Sequence, residues 1–326
     1  MGPRETLLAT KHEIEVVFGI RDAVECVENA FRLYGEDQVQ MPPKVYLTFE
    51  KGDLRSMPAY LPTLGIAGVK NVNVHPQNAG IPTVMATITL VDPEDGFPLA
   101  VMDATYLTGL RTGAAGGVAA KHLARPDSEV AGFIGTGAQA HTQAAALAAV
   151  LPSVRRAVAF DMRREAAERF CGWCRQELGL EAEVGASVEE VTRECDVLTT
   201  TTPSRGAIVM DDWVRGGTHV NAIGADAAGK QELDPAILKR AVVVIDNWEQ
   251  ASHSGEVNVA MKEGLISRAD IHGDIGEVVI GRKPGRERPD QVTVFDTTGL
   301  AIQDICCAGE VYRRLSSDPG AGGARR

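Results

Sequence analysis

Residues 130–150 read VAGFIGTGAQAHTQAAALAAV, and the fold turns on this stretch. Its five apolar residues, 130–134, form a run of strand length. That run stops at Gly135-Thr136-Gly137-Ala138-Gln139-Ala140 and gives way to an alanine-rich helical segment over 139–150. A glycine motif is informative only when a strand feeds it and a helix leaves it, and both conditions are met here. Gly135 permits the tight turn. Gly137 lets backbone N–H groups approach a pyrophosphate at the positive end of the helix, and Ala140 keeps that helix close to the sheet. The next apolar run, AVAF, ends at Asp161, about twenty residues beyond the turn, where a carboxylate accepts hydrogen bonds from the ribose hydroxyls. A carboxylate there would repel a 2′-phosphate, so the expected cofactor is NAD rather than NADP. The neighbouring Arg163 and Arg164 read as solvated positions on the following helix.

Outward from this motif, the runs VAGFIG, AVAF, DVLTT, THVNAIG, VVVID and VTVFD alternate with helical stretches. Short continuous apolar runs of this kind are strands of a parallel sheet covered on both faces, which makes the region a doubly wound α/β domain. The first hundred residues differ. Residues 20–34 carry apolar side chains at helical spacing, and alternating segments at 45–49, 66–74 and 84–91 read as strands of an α+β unit. A small-residue helix over 105–124, stopped by Pro126, bridges the two. The tail SSDPGAGGARR, 316–326, has nothing to bury.

The chain has 326 residues, 44% of them hydrophobic and 24% charged, which suits two folded domains and excludes a disordered chain. Its net charge of −11 repels phosphate backbones and anionic lipid, so neither nucleic acid nor a membrane is an expected partner. No apolar run is long enough to cross a bilayer, and the charged start does not read as a signal peptide, so a cytoplasmic protein is expected. Six cysteines then read as reduced thiols. Cys171 and Cys174 form a CxxC deep inside a helix over 163–178, away from the helix N-terminus that would activate a thiol. The seven histidines show no ligand spacing, and no metal site is expected.

Several groups could hold a substrate. In 66–74, period-two alternation puts Lys70 on one face with Ile66, Gly68, Val72 and Val74, where an ammonium either snorkels out or meets an anion. Arg111 is the only charge between Asp103 and Lys121, on a helix of small residues, and its guanidinium suits bidentate capture of a carboxylate. Arg55 and Lys44 carry weaker signals. Asp226 lies just past the strand THVNAIG, where open α/β sheets form their ligand crevice, although a turn aspartate fits that loop equally. Thr298 is a candidate N-cap for a final helix over 301–315.

Together the segments MPPKVYL, GDLRSMPAY, GVKNVNVHP, GFPLAVMDATYLTGLRTGAAGG, GFIGTGAQA, TTTPSR, NAIGADAAGKQELD and FDTTGLAIQD resemble the ornithine cyclodeaminase, μ-crystallin and archaeal-type alanine dehydrogenase family, with the last of these most similar. The resemblance implies a homodimer. It implies a dimerisation and substrate domain over 1–118, completed by 300–326, with a Rossmann domain over 119–299. It implies that Lys70 and Arg111 hold the substrate carboxylate and that Asp226 lies close to the reacting carbon; Lys70 and Asp226 are the expected catalytic residues, with Arg55 as a further expected substrate contact. Cofactor contacts are implied at Thr112, Gly135, Thr136, Gly137, Ala138, Gln139, Asp161, Thr201, Thr202, Asp226 and Gly299. The cyclodeaminases carry a glutamate shortly before the Met-Pro pair, whereas this chain has Arg55, which disfavours the distal ammonium of ornithine. The expected activity is NAD-dependent oxidation of L-alanine to pyruvate and ammonium, with a small amino acid or keto acid as substrate. Ornithine cyclisation, cyclic ketimine reduction and a non-catalytic binding role stand as alternatives.

Overall fold

The computed structural model describes residues 4–317, so most of the 316–326 tail lies outside the described residues. Along the chain come β1 (Leu7–Ala9), α1 (Lys11–Val17), α2 (Ile20–Gly35), β2 (Val45–Phe49), β3 (Gly52–Leu61), β4 (Ile66–Val74), β5 (Val84–Val91), β6 (Pro98–Asp103) and α3 (Thr105–Leu123). There follow β7 (Val130–Ile134), α4 (Ala138–Val150), β8 (Arg156–Phe160), α5 (Arg164–Leu178), β9 (Glu181–Val184), α6 (Val188–Glu194), β10 (Val197–Thr200) and β11 (Arg205–Val209). The chain continues through β12 (His219–Ala222), β13 (Gln231–Leu233), α7 (Pro235–Arg240), β14 (Val242–Ile245), α8 (Trp248–Ser254) and α9 (Val257–Lys262). It closes with β15 (Ile271–Asp274), α10 (Ile275–Val279), β16 (Thr293–Asp296) and α11 (Ala301–Ser317).

These elements fall into two compact units, Met1–Arg111 with Leu300–Arg326, and Thr112–Gly299. The first division lies inside α3, earlier than the boundary at residue 118 expected from sequence. An uninterrupted small-residue helix offers no compositional break that would mark it.

In the first unit the sheet order is β1-β6-β5-β4-β3-β2, antiparallel except for the β1–β6 pair. α11 packs on β3, β4 and β5 and against α2. Its Ile305, Val311 and Leu315 are buried, as are Val27 and Phe31 of α2. The expected β4 periodicity holds for Ile66, Gly68, Lys70 and Val72, all on the buried face, while Val74 at the strand end is half-buried. β3 was not expected as a strand, because GDLRSMPAYL carries a proline and two charges. Its inward residues Met57, Ala59 and Leu61 nevertheless alternate cleanly. β2, at the sheet edge, is exposed along its whole length, with Val45, Leu47 and Phe49 among its side chains.

The second unit is an eight-stranded sheet of order β15-β14-β16-β12-β10-β7-β8-β9, every pair parallel. Successive residues of a strand feed opposite cores. Ala131, Phe133, Ala157, Ala159 and Val197 join one cluster with Ala144, Leu147 and Phe170 of the covering helices. Ile134, Val158 and Leu198 join the other, with Val191 of α6. Burial on both faces is why these strands read as continuous apolar runs. Chain order reverses between β7 and β10, and a ligand crevice in such a sheet forms beyond the carboxyl ends of its strands at that point.

Candidate functional site

Within the first unit, the anion that Lys70 meets is a protein carboxylate. Lys70 and Asp304 are both fully buried, with Nζ 2.7 Å from Asp304 Oδ2. Asp304 Oδ1 accepts from Arg111 Nε at 2.9 Å, and Arg111 Nη1 donates to Gln303 Oε1 at 3.0 Å. One carboxylate therefore serves two cations, and with Lys70 protonated the trio carries one net positive charge. Burial pushes the Lys70 ammonium down, to about 7. The Arg111 charge adds to that effect, and Asp304 opposes it. Such a lysine can exchange a proton near neutrality, and the unbalanced positive charge suits a small carboxylate ligand.

Arg55 faces inward on β3, opposite Val72 in the register, while Lys70 sits opposite Met57. Its guanidinium is engaged bidentately by Asp53, with Nε to Oδ1 at 2.9 Å and Nη2 to Oδ2 at 3.2 Å. The charge expected to repel a distal ammonium is thus matched by a neighbouring carboxylate, which leaves Arg55 as a hydrogen-bond donor more than a net charge.

In the second unit the glycine turn has the form of a phosphate cradle. Gly135 adopts φ +84, a left-handed conformation that favours glycine, and a Cβ there would press on Thr202 Cγ2 at 2.9 Å. Gly137 caps α4 without any side-chain acceptor, and a Cβ on it would meet nothing within 4 Å. The start of a 13-residue helix is therefore open to an anion. Asp161 closes β8 and accepts from Thr136 N and Oγ1, both at 3.0 Å, and from Arg163 N at 2.9 Å. Burial works against its charge, yet these bonds hold it below the usual carboxylate range. Thr201 Oγ1 donates to Gly135 O at 2.9 Å, which ties the loop after β10 to the turn. Thr112 O accepts from Gln143 of α4 at 2.9 Å. These residues fit a dinucleotide: an open helix start for the phosphates and an ionised acid at the next strand end for the ribose.

Asp226 lies in the loop after β12, bonded to Lys230. Gly299 N donates to the buried Asp246 at 2.8 Å. Thr298 lies three residues before the start of α11 at Ala301. Its backbone N–H donates to Asp246 at 2.7 Å and its hydroxyl lies near the same carboxylate, while the side chain of Gln303 caps α11 by accepting from Leu300 N at 3.2 Å. Cys171 and Cys174 are buried mid-helix in α5, where burial lifts Cys174 to about 12 and leaves it inert.

Sequence reasoning missed Asp304, Gln303, Asp53, Glu232 and Asp246. For Asp304 a signal existed: a lysine on a valine face requires a partner, and Asp304 is an acid among the buried residues of an amphipathic helix.

A family model described as the ornithine cyclodeaminase/mu-crystallin family matches residues 4–318. An alanine dehydrogenase from Archaeoglobus fulgidus is 55% identical over 315 residues, 96% of each chain. A solved archaeal alanine dehydrogenase dimer with bound NAD superposes with a TM-score of 0.92 at 55% identity, covering 96% of this chain and 97% of that one. The Δ1-pyrroline-2-carboxylate reductase of Thermococcus litoralis, in complex with NADH and L-proline, gives a TM-score of 0.93 at 35% identity over 96% and 98%.

Proposed function

The chain belongs to the ornithine cyclodeaminase/mu-crystallin family, and from that premise we propose that it is an NAD-dependent alanine dehydrogenase, converting L-alanine, oxidised NAD and water to pyruvate, ammonium, NADH and a proton. The observation that carries this reading is the far greater identity to an alanine dehydrogenase than to a pyrroline-2-carboxylate reductase, along the whole chain. Lys70 and Arg111 provide the positive charge for the substrate carboxylate, and Arg55 contributes a donor. The turn 135–139, Asp161, Thr112, Thr201, Thr202, Asp226 and Gly299 hold the cofactor. When bound, NAD accepts the hydride that leaves the alanine Cα. The amine must be neutral for that loss, and water must later add to the imine carbon to release ammonium. Asp226 is the residue assigned to carry the amine or water proton, with Lys70, poised near neutrality, as the other proton carrier.

The working form is a homodimer. The exposed apolar side chains of the edge strand β2 support this, since an unpaired apolar edge on a soluble domain invites a partner. None of the helices among the described residues is long and apolar enough to cross a membrane, and a cytoplasmic location suits a substrate pair drawn from central metabolism.

Reduction of a cyclic imino acid is the second reading, favoured by the fold likeness to the pyrroline-2-carboxylate reductase. The experiment is steady-state absorbance at 340 nm with alanine, other amino acids, ornithine, pyruvate plus ammonium, and a cyclic imino acid. Turnover highest with the alanine–pyruvate pair is expected. Faster turnover of the cyclic imine or ornithine would overturn the assignment, and tight NADH binding without turnover would make the protein a binder.

A further inference from the structure

The second unit contains a set of fully buried carboxylates with no part in the scheme above. Glu232, Glu256 and Asp296 have no exposed surface, and they follow one another through the backbone. Asp296, at the end of β16, accepts from Glu256 N at 2.8 Å and Val257 N at 3.2 Å. The Glu256 carboxylate accepts from Glu232 N at 2.9 Å and Leu233 N at 2.7 Å. Glu232 of β13 then accepts from Thr202 N at 2.6 Å and Gly224 N at 2.9 Å. Its two oxygens thereby clasp the loop after β10 to the loop after β12, the loops that carry Thr201, Thr202 and Asp226. The clasp is tight: a Cβ on Gly224 would lie 2.6 Å from Glu232 Oε2 and collide with Thr202 O.

We propose that Glu232, Glu256 and Asp296 form a proton-holding positioning chain that sets the loops after β10 and β12 for the dinucleotide, so that full ionisation of the chain weakens cofactor binding. The proposal rests on the reading of the second unit as the NAD site.

The charges acting on the chain are its own and those of further acids. Glu256 feels Glu232 and Asp296, and Asp296 feels Asp246. Asp246 in turn raises Asp274, which also has Glu277, Lys283 and Arg268 around it. Lys230, the nearest lysine in sequence, lies on Asp226. Among the described residues no cation pairs with Glu232, Glu256 or Asp296; buried anions in series are costly, and protonating one relieves its neighbours. Burial first, then the adjacent acid, lifts Glu256 well above its usual range, and burial lifts Asp296 to about 8 and raises Glu232. As pH climbs past that value Asp296 ionises, its charge adds to that of the acids beside it, and repulsion along the chain loosens the grip on Thr202 and Gly224.

The test is NADH binding to the full-length protein, read by nucleotide fluorescence, with amide hydrogen exchange on the segments 200–203 and 223–227. For wild type the Kd should rise at least about fivefold between about pH 7 and about pH 9.5, with exchange in both segments accelerating. Glu256→Gln keeps a carbonyl acceptor and removes the charge, so the ratio between the two pH values should fall below about twofold. Should that variant melt too low, Asp296→Asn asks the same question. Glu232→Ala should weaken NADH by about tenfold or more at both pH values and raise its KM, with kcat falling too because Asp226 rides on the freed loop, while Glu232→Gln, which keeps one of the two acceptor oxygens, restores part of the affinity. An unchanged pH ratio in Glu256→Gln, or wild-type NADH affinity in Glu232→Ala, would overturn the chain alone. A wild-type protein that binds no NADH at pH 7 would overturn the cofactor reading itself, a result that cannot be mistaken for either of these.

Discussion

Asp304→Asn removes the one negative charge between Lys70 and Arg111 while keeping the side chain's shape. Two costs follow, and they separate by pH. Arg111 stays charged throughout, and the change weakens its charge-assisted bond to Oδ1 at every pH, at about 1.5–3 kcal/mol. Lys70 behaves differently, because Asp304 is the group that holds its affinity for the proton up to about 7 against burial and Arg111. In the variant that affinity falls further, so near about pH 5.5 the wild-type lysine is protonated and the variant lysine is not. Between the two folded-state values wild type binds one more proton, so it gains on the variant as pH falls, by about 1.4 kcal/mol per pH unit below about 7. The expected loss of stability is therefore about 2 kcal/mol near pH 8 and about 4 kcal/mol near pH 5.5. In melting temperature that is roughly 5 °C against roughly 10 °C. Urea or thermal unfolding of both proteins at the two pH values decides it. Equal losses at both would show that Lys70 does not titrate through Asp304, and no loss at either would show that the buried trio contributes nothing to the fold.

Asp161→Arg removes the acceptor held by Thr136 and installs a phosphate partner, so the ratio of kcat/KM for NAD over NADP should invert; a wild type that already prefers NADP refutes the assignment. Ending the chain after Gln303 strips Ile305, Val311 and Leu315 from β3, β4 and β5, and sedimentation should find aggregate or monomer rather than an active dimer. Asp226→Asn should lower kcat by roughly 10² to 10⁴ with NADH binding retained, and wild-type kcat would leave Lys70 as the proton carrier. Pyruvate binding beside Lys70 should take up a proton above about pH 7, so that its KM climbs with pH by up to about tenfold per unit; calorimetry in buffers of different ionisation heat would show no buffer dependence if this is wrong.

Where one local rule governs a residue, sequence alone locates it. The glycine turn is legible because strand, turn and helix are consecutive, and β7, β8 and β10 are legible because burial on both faces leaves uninterrupted apolar runs. β3 escaped because an antiparallel strand with one inward arginine, paired to Asp53 two residues away, has the composition of a loop. β9, the polar edge strand EAEV, escaped for a related reason, since only one neighbour holds it.

The partner of a buried charge is a different kind of information. Period two put Lys70 on a valine face and demanded an anion, but it could not say whether that anion belongs to substrate or protein. The answer lies at Asp304, more than two hundred residues away, on a helix whose inward face also carries Ile305 and Val311. The distinction alters the chemistry. Had the anion been substrate alone, the unliganded site would hold two uncompensated cations; with Asp304 present, one positive charge is left over while Lys70 keeps its proton, enough for a single monocarboxylate. Glu232, Glu256 and Asp296 make the same point with the sign reversed. Each reads as an ordinary acid at a turn or strand end. Only the folded chain gathers Asp296 at the end of β16, Glu256 between α8 and α9, and Glu232 on β13, each holding backbone N–H groups of a distant segment. Residues that bind a ligand directly tend to announce themselves by breaking a local pattern, as Lys70 does. Residues that bind other binding residues break none, and they come into view only when the chain is folded.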